Sequence, residues 1–297
     1  MKNSGTPRSY MLAVGLNHVD PDHYAGWDGR LNVCEADARA VAGIAKNLNF
    51  DKITLLLSVK ARLRTVLHEI DVATRELKAG DIFVIYYSGQ GGNDIPDQNK
   101  DERADLADEV DNFHESWCLY DGQLIDSILL DRWHRFRAGV RVWVIADSCF
   151  CGDIIKMRNG QPEKTVFDEA PLKRIPPQIG RKTYLQHKAF YKTFNAEALK
   201  PKGRRKIDLN VNTIKASVRL LGSSQEYQPS MAETRAFPEN SLFTAMFMKC
   251  WNKGRFRGNY AQFVKKIKSQ MPVEQMPDHY TIGKNNTLFD GQRPFTV

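Results

Sequence analysis

Asp81-Ile82-Phe83-Val84-Ile85-Tyr86-Tyr87-Ser88-Gly89-Gln90-Gly91-Gly92 begins as an apolar run and ends in a glycine-rich turn. A run this short and this apolar, entered through Ala79-Gly80, reads as a strand over Asp81 to Tyr87 buried on both faces. A second stretch repeats the design: Val140 to Ala146 is a strand that runs into Asp147-Ser148-Cys149-Phe150-Cys151-Gly152. Outward from these two, the chain alternates. Strands are expected at Tyr10 to Leu16, Lys52 to Leu57 and Ala216 to Leu221, with a final one around Thr287 to Phe289. Helices are expected over Asn32 to Asn47 with Asn32 as its cap, Lys60 to Leu77, Leu124 to Phe136, Ser241 to Asn252 and Tyr260 to Met271. Strands alternating with helices predict an α/β fold, a mostly parallel sheet flanked by helices. In such sheets ligands sit beyond the carboxyl ends of the strands, so function is sought after Leu16, Tyr87 and Ala146.

The bulk properties agree. The 297 residues are 42% hydrophobic and 26% charged, the make-up of a globular chain with a sizeable core. The chain is expected to form one domain over 1–297, with a basic insertion or linker at about 156–215. No apolar run of about 18 residues points to a membrane span, and Met1 to Tyr10 lacks the apolar core of a signal peptide. Five cysteines without framework spacing suit reduced thiols, so a cytoplasmic location is expected. The net charge of +8 would suit a polyanion, but it is segregated. Asp94 to Asp131 is strongly acidic and Lys156 to Lys215 strongly basic. A basic run is more often a solvated loop, and no basic motif interleaved with aromatics appears, so nucleic acid is not an expected partner.

The turn Ser88-Gly89-Gln90-Gly91-Gly92 is not a phosphate-binding fingerprint, which weighs against a nucleotide-binding domain. A lone cysteine after a strand is ordinarily a small buried hydrophobe. Cys149 differs, because Asp147 and Ser148 precede it and Gly152 frees the backbone beyond it, the setting of an exposed nucleophile. Cys149 and Cys151 together lack the further ligands of a zinc site.

These two motifs, in this order, resemble the caspase-hemoglobinase clan, and most closely the metacaspases and their bacterial orthocaspase relatives. That family reads Tyr-Ser-Gly-His-Gly and Asp-Ser-Cys at the two strand ends; here they are Tyr87-Ser88-Gly89-Gln90-Gly91 and Asp147-Ser148-Cys149. Leu31 to Ala38, Asp111 to Asp121, Ser223 to Tyr227, Asn240 to Thr244 and Gln292 to Phe295 match further pieces in order. The resemblance implies a caspase-hemoglobinase fold with a six-stranded sheet and a cysteine endopeptidase of the C14 type. It makes Cys149 the nucleophile and puts Gln90 where the catalytic histidine belongs. It places the oxyanion region at Gly89 and Gly91. Cys34, Asp37, Ser88 and Asp147 become the walls of an acidic pocket for Arg or Lys before the cut bond. Taken singly, Asp37 is a first-turn helix acid and Asp147 a strand-end cap.

A glutamine amide cannot shuttle a proton near neutral pH, so an inactive or strongly impaired peptidase is expected. Three explanations stand side by side: an engineered inactive form, a natural pseudoprotease that binds peptides or proteins, or another base among His18, His23 and His114. Calcium is the one cofactor the resemblance raises, with Asp126 matching an aspartate of the family's set. His114 and Lys156 stand where acids are expected, which argues against a tight site, and no other cofactor or metal is expected. The basic stretch is also the place where self-processing is expected, around Lys200 to Lys206, unless Tyr184, Phe190, Tyr191 and Phe194 dock it on the domain.

Overall fold

A computed structural model describes residues 5–96, 113–149, 171–200, 209–225 and 228–297. Its centre is a six-stranded sheet of β1 (Ser9–Gly15), β2 (Lys52–Leu57), β3 (Ile82–Ser88), β7 (Arg141–Asp147), β8 (Ser217–Gly222) and β9 (Asp278–Gly283). The order is β2-β1-β3-β7-β8-β9, parallel throughout except for β9. Every residue of β1, β3, β7 and β8 is buried, whereas β2 and β9 at the edges are mostly half-exposed. That is the reason the inner strands read as continuous apolar runs.

Successive side chains of each inner strand feed two cores. Leu12, Val14, Phe83, Ile85, Val142 and Val144 face α2 (Leu63–Glu76) and α3 (Asp126–Arg135). Met11, Ala13, Val84, Tyr86, Trp143 and Ile145 face α1 (Cys34–Asn47), α6 (Leu242–Trp251) and α7 (Tyr260–Lys268). Each Val, Leu, Ile, Phe or Met among them contributes about 1.5–3 kcal/mol when fully buried. The six-stranded, mostly parallel sheet is the one the motifs lead to.

Register aligns the functional edge. Gly15 pairs with Ser88, and Ser88 with Asp147, so β1, β3 and β7 end in one row. Gly15 is required there: a Cβ would lie 2.3 Å from the Cys34 carbonyl oxygen, so only glycine lets the start of α1 press against the strand end. That approach brings Cys34 and Asp37 to the row's edge.

Three expectations are corrected. Thr287 to Phe289 is not a strand but the start of α8 (Thr287–Gly291), capped by the Asn286 side chain, which accepts from the Phe289 N–H; the last strand is β9, antiparallel. Asn32 does not cap α1. The Asn17 side chain accepts from the Glu35 N–H instead, at 3.0 Å, while Asn32 reaches Glu233. The helix expected from Leu124 starts at Asp126, because Gly122–Ile125 is β6 of a small antiparallel sheet with β4 (Gly91–Pro96) and β5 (Phe113–Leu119). Separately, the basic stretch carries two helices, α4 (Pro177–Gln186) and α5 (Lys188–Ala198). Tyr184, Tyr191 and Phe194 are buried in the first core, while Phe190 is 40% exposed. The last carbonyl of α5, Ala198, accepts from the guanidinium groups of Arg132 (2.7 Å) and Arg135 (3.2 Å), which suits the negative end of a helix.

Candidate active site

Because Ser88 pairs with Asp147, the chain leaves β3 and β7 side by side and at the same level. Gln90 is buried, and its backbone carbonyl is held by the Tyr87 hydroxyl (2.7 Å) and the Cys118 N–H (2.9 Å). Its side-chain Nε2 donates to the Gly29 carbonyl at 3.2 Å, and Oε1 is buried with no hydrogen-bond partner among the described residues. Cys149 is 3% exposed, with its Sγ accepting from the Ser230 N–H at 3.1 Å. A Cβ at Gly91 would fall 2.0 Å from the Cys149 carbonyl oxygen, so glycine alone permits the two strand ends to approach so closely.

Between them lies a segment of the chain itself. Pro171 to Lys173 runs antiparallel to Ser230 to Ala232: the Ala232 N–H donates to the Pro171 carbonyl (2.8 Å), the Lys173 N–H donates to the Ser230 carbonyl (2.9 Å), and Leu172 bridges Met231. The Lys173 carbonyl oxygen accepts from two backbone N–H groups, those of Gly91 (3.0 Å) and Cys149 (3.1 Å). The Ile175 N–H then donates to the Gly91 carbonyl at 2.9 Å. The Lys173 carbonyl is thus held between two backbone donors at the ends of β3 and β7. The bond so presented joins Lys173 to Arg174.

The Lys173 side chain is fully buried. Its ammonium reaches Ser88 Oγ at 2.8 Å, Asp147 Oδ1 at 3.0 Å and Asp37 Oδ2 at 3.3 Å. Both carboxylates are also fully buried, and each is supported from behind. Asp37 Oδ1 accepts from the Asn240 amide (2.9 Å) and the Ser241 N–H (3.0 Å). Asp147 Oδ2 accepts from the hydroxyls of Ser241 and Thr244, and Oδ1 also takes the Ser230 hydroxyl (3.1 Å). Burial opposes the charged ammonium, but Asp147, Cys34 and Asp37 outweigh it and raise the Lys173 pKa above its usual value. Burial raises the Asp37 pKa, with Lys173 opposing and Asp147 adding to the rise. Burial likewise pushes the Cys34 thiol up to about 12, so Cys34 is a neutral wall.

Of the residues singled out from sequence, Asp37, Ser88 and Asp147 meet around one cation, with Cys34 buried beside them, and Gly91 meets Cys149 at one carbonyl. Gly89 does not join them: its N–H donates to the Asp147 carbonyl at 3.4 Å, and the second N–H at the Lys173 carbonyl is that of Cys149 itself. His18 stands edge-on to Tyr120, His23 bonds to Tyr191 at 2.8 Å and stacks on His187, and His114 pairs with Asp126 at 2.8 Å. Among the described residues no three His, Cys, Asp or Glu side chains converge on one position. Lys156, Cys151, Gly152 and the acidic stretch over 97–112 lie outside the described residues, as do 201–208, where self-processing was expected. The residue seated in the cleft is Lys173.

Sequence reasoning missed Lys173, Ser230 and Gln275. The Gln275 side chain is fully buried, accepts from the Met231 N–H (3.0 Å) and donates to the Ser223 carbonyl (3.2 Å), so it sets the edge on which the docked segment lies. Ser241 with Thr244 three residues on did carry a signal, that of a helix start: Ser241 Oγ accepts from the Thr244 N–H at 3.3 Å.

The fold and the paired strand ends are those of a caspase-type peptidase. The family profile described as metacaspase, peptidase C14 domain matches residues 11–158. A Geobacter sulfurreducens protein of known crystal structure is 37% identical, with a TM-score of 0.81, covering 98% of this chain and 99% of that one. Caspase-1 from Spodoptera frugiperda is 9% identical with a TM-score of 0.51, over 98% of this chain and 92% of that one, and so shares the fold. Comparison with curated proteins gave no match. This chain belongs to the metacaspase family of caspase-type cysteine peptidases.

Proposed function

We propose that the chain is a cysteine endopeptidase domain that binds peptides with a basic residue before the scissile bond, and that Gln90 leaves it strongly impaired as written. Cys149 is the nucleophile in this reading. Its sulfur adds to the carbonyl carbon, the developing oxyanion is held by the N–H groups of Gly91 and Cys149, and the amine leaves as the C–N bond breaks. The leaving amine needs a proton and the attacking thiol must lose one. The position that handles both holds a neutral carboxamide turned to Gly29. The observation that carries the reading is Lys173, with its carbonyl between two N–H donors and its ammonium between two carboxylates. Cys34 and Cys250 are buried free thiols, which suits a cytoplasmic setting.

The test is the Gln90→His chain on peptides with Lys or Arg before the bond, beside the chain as written and a Cys149→Ala control. Restoring the imidazole should raise kcat/KM by roughly 10²–10⁴-fold. Equal rates in the two, or selection for an aspartyl peptide, would refute the reading.

A further inference from the structure

We infer that the pocket reads an ammonium rather than a guanidinium, so that lysine and not arginine is its side chain, and that Ser241 sets this choice. The inference rests on the reading of the cleft as a peptide site and narrows its substrate class. Three acceptors surround Lys173 Nζ: Ser88 Oγ at 2.8 Å, Asp147 Oδ1 at 3.0 Å and Asp37 Oδ2 at 3.3 Å. An ammonium has three N–H donors, so each finds a partner. The carboxylates come from two different elements, and each shows the cation only one oxygen. Ser241 occupies the other oxygen of both: its backbone N–H goes to Asp37 Oδ1 and its hydroxyl to Asp147 Oδ2. Asn240 and Thr244 complete those two shells.

A guanidinium carries five donors in a rigid plane and binds a carboxylate best as a fork across both oxygens. Neither carboxylate has both oxygens free. A guanidinium in this dry pocket would be left with N–H groups lacking acceptors, and unsatisfied buried donors are the costly kind. The docked segment makes the choice directly. Lys173 and Arg174 are adjacent, and a slip of one residue would offer the arginine; the lysine occupies the pocket.

Two measurements test this. With the Gln90→His enzyme and peptides that differ only in Lys or Arg before the bond, kcat/KM should favour Lys by about tenfold or more. Ser241→Ala, which frees a lone pair on Asp147 Oδ2, should narrow that ratio, and an unchanged ratio overturns the part assigned to Ser241. Parity between the two peptides overturns the inference. Independently of turnover, Lys173→Arg in the chain as written should melt clearly below the parent, and an unchanged melting temperature overturns the inference. A Gln90→His chain inactive on both peptides defeats the peptidase reading, and the melting comparison then decides this one. Should Lys173→Arg not fold, the peptide ratio decides.

Discussion

Replacing Lys173 by Met removes the cation and keeps most of the volume. Two fully buried carboxylates, Asp37 and Asp147, then face one site with no countercharge. Removing one partner of a buried ion pair costs about 3–5 kcal/mol, because the group left behind stays dry and charged. With an unfolding entropy of about 2.1 cal/mol/K per residue, that loss lowers the melting temperature by about 5–8 °C for a chain of 297 residues. One route of escape is protonation. The Asp37 pKa is already raised by burial, and losing Lys173 removes the influence that opposed the rise. A carboxyl group whose folded pKa lies above its unfolded value favours the folded state at low pH and loses that advantage as pH rises through the folded pKa. The deficit of Lys173→Met relative to the parent is therefore expected to be smaller at pH 5 than at pH 8. Calorimetry of the two chains at both values is the assay. A variant that melts with its parent, or a deficit that does not change with pH, would show that the two acids and the lysine are not coupled and would refute the reasoning.

Three further outcomes are expected. The Gln90→His chain should cut itself between Lys173 and Arg174, giving fragments 1–173 and 174–297 by intact mass, while Gln90→His with Cys149→Ala stays whole; a Gln90→His chain that hydrolyses an added lysyl peptide yet remains intact would count against it. Gly91→Ala, whose Cβ would lie 2.0 Å from the Cys149 carbonyl oxygen, should displace one oxyanion donor and lower kcat in the Gln90→His background by roughly 10²–10³-fold, with KM the lesser effect. Burial, with His187 adding to it, lowers the His23 pKa to about 4; burial, with Arg219 adding to it, does the same for His279. Unfolded histidines titrate near 6.5, so the unfolded chain takes up protons first and stability should fall as pH drops from about 6.5 towards 4; melting curves in which His23→Gln leaves that slope unchanged would remove His23 from the account.

The strands that build the site were legible because β1, β3 and β7 are buried on both faces and so read as unbroken apolar runs. The strands of the small sheet were not. β5, Phe-His-Glu-Ser-Trp-Cys-Leu, has no clean alternation and follows a long acidic stretch; its pairing depends on Gly91-Gly92 across from it. Thr287-Leu288-Phe289 is a β-like triplet, but the cap at Asn286 outweighs propensity. The positions that surround the Lys173 ammonium were reached through the ordered motifs, since neither Asp37 nor Asp147 alone says more than helix start or strand end. Lys173 was beyond reach, because it is one of 43 lysines and arginines and nothing near it in sequence marks it. What selects it is the edge at Ser230 to Ala232, which exists only after Gln275 and β8 are in place.

The docked segment also changes what a binding measurement on this protein means. Ile175 leads directly into α4 and α5, and α5 is fixed by Tyr191 to the Gln123 N–H (3.2 Å) and by Arg132 to Ala198. A ligand held on so short a leash competes at an effective concentration of the order of millimolar, whatever the dilution of the protein. An added peptide therefore meets a cleft open only for the fraction of time that Lys173 is out of it, and its apparent Kd is the intrinsic value divided by that fraction. Shortening or lengthening the leash, with the pocket untouched, would shift every apparent peptide affinity by the same factor.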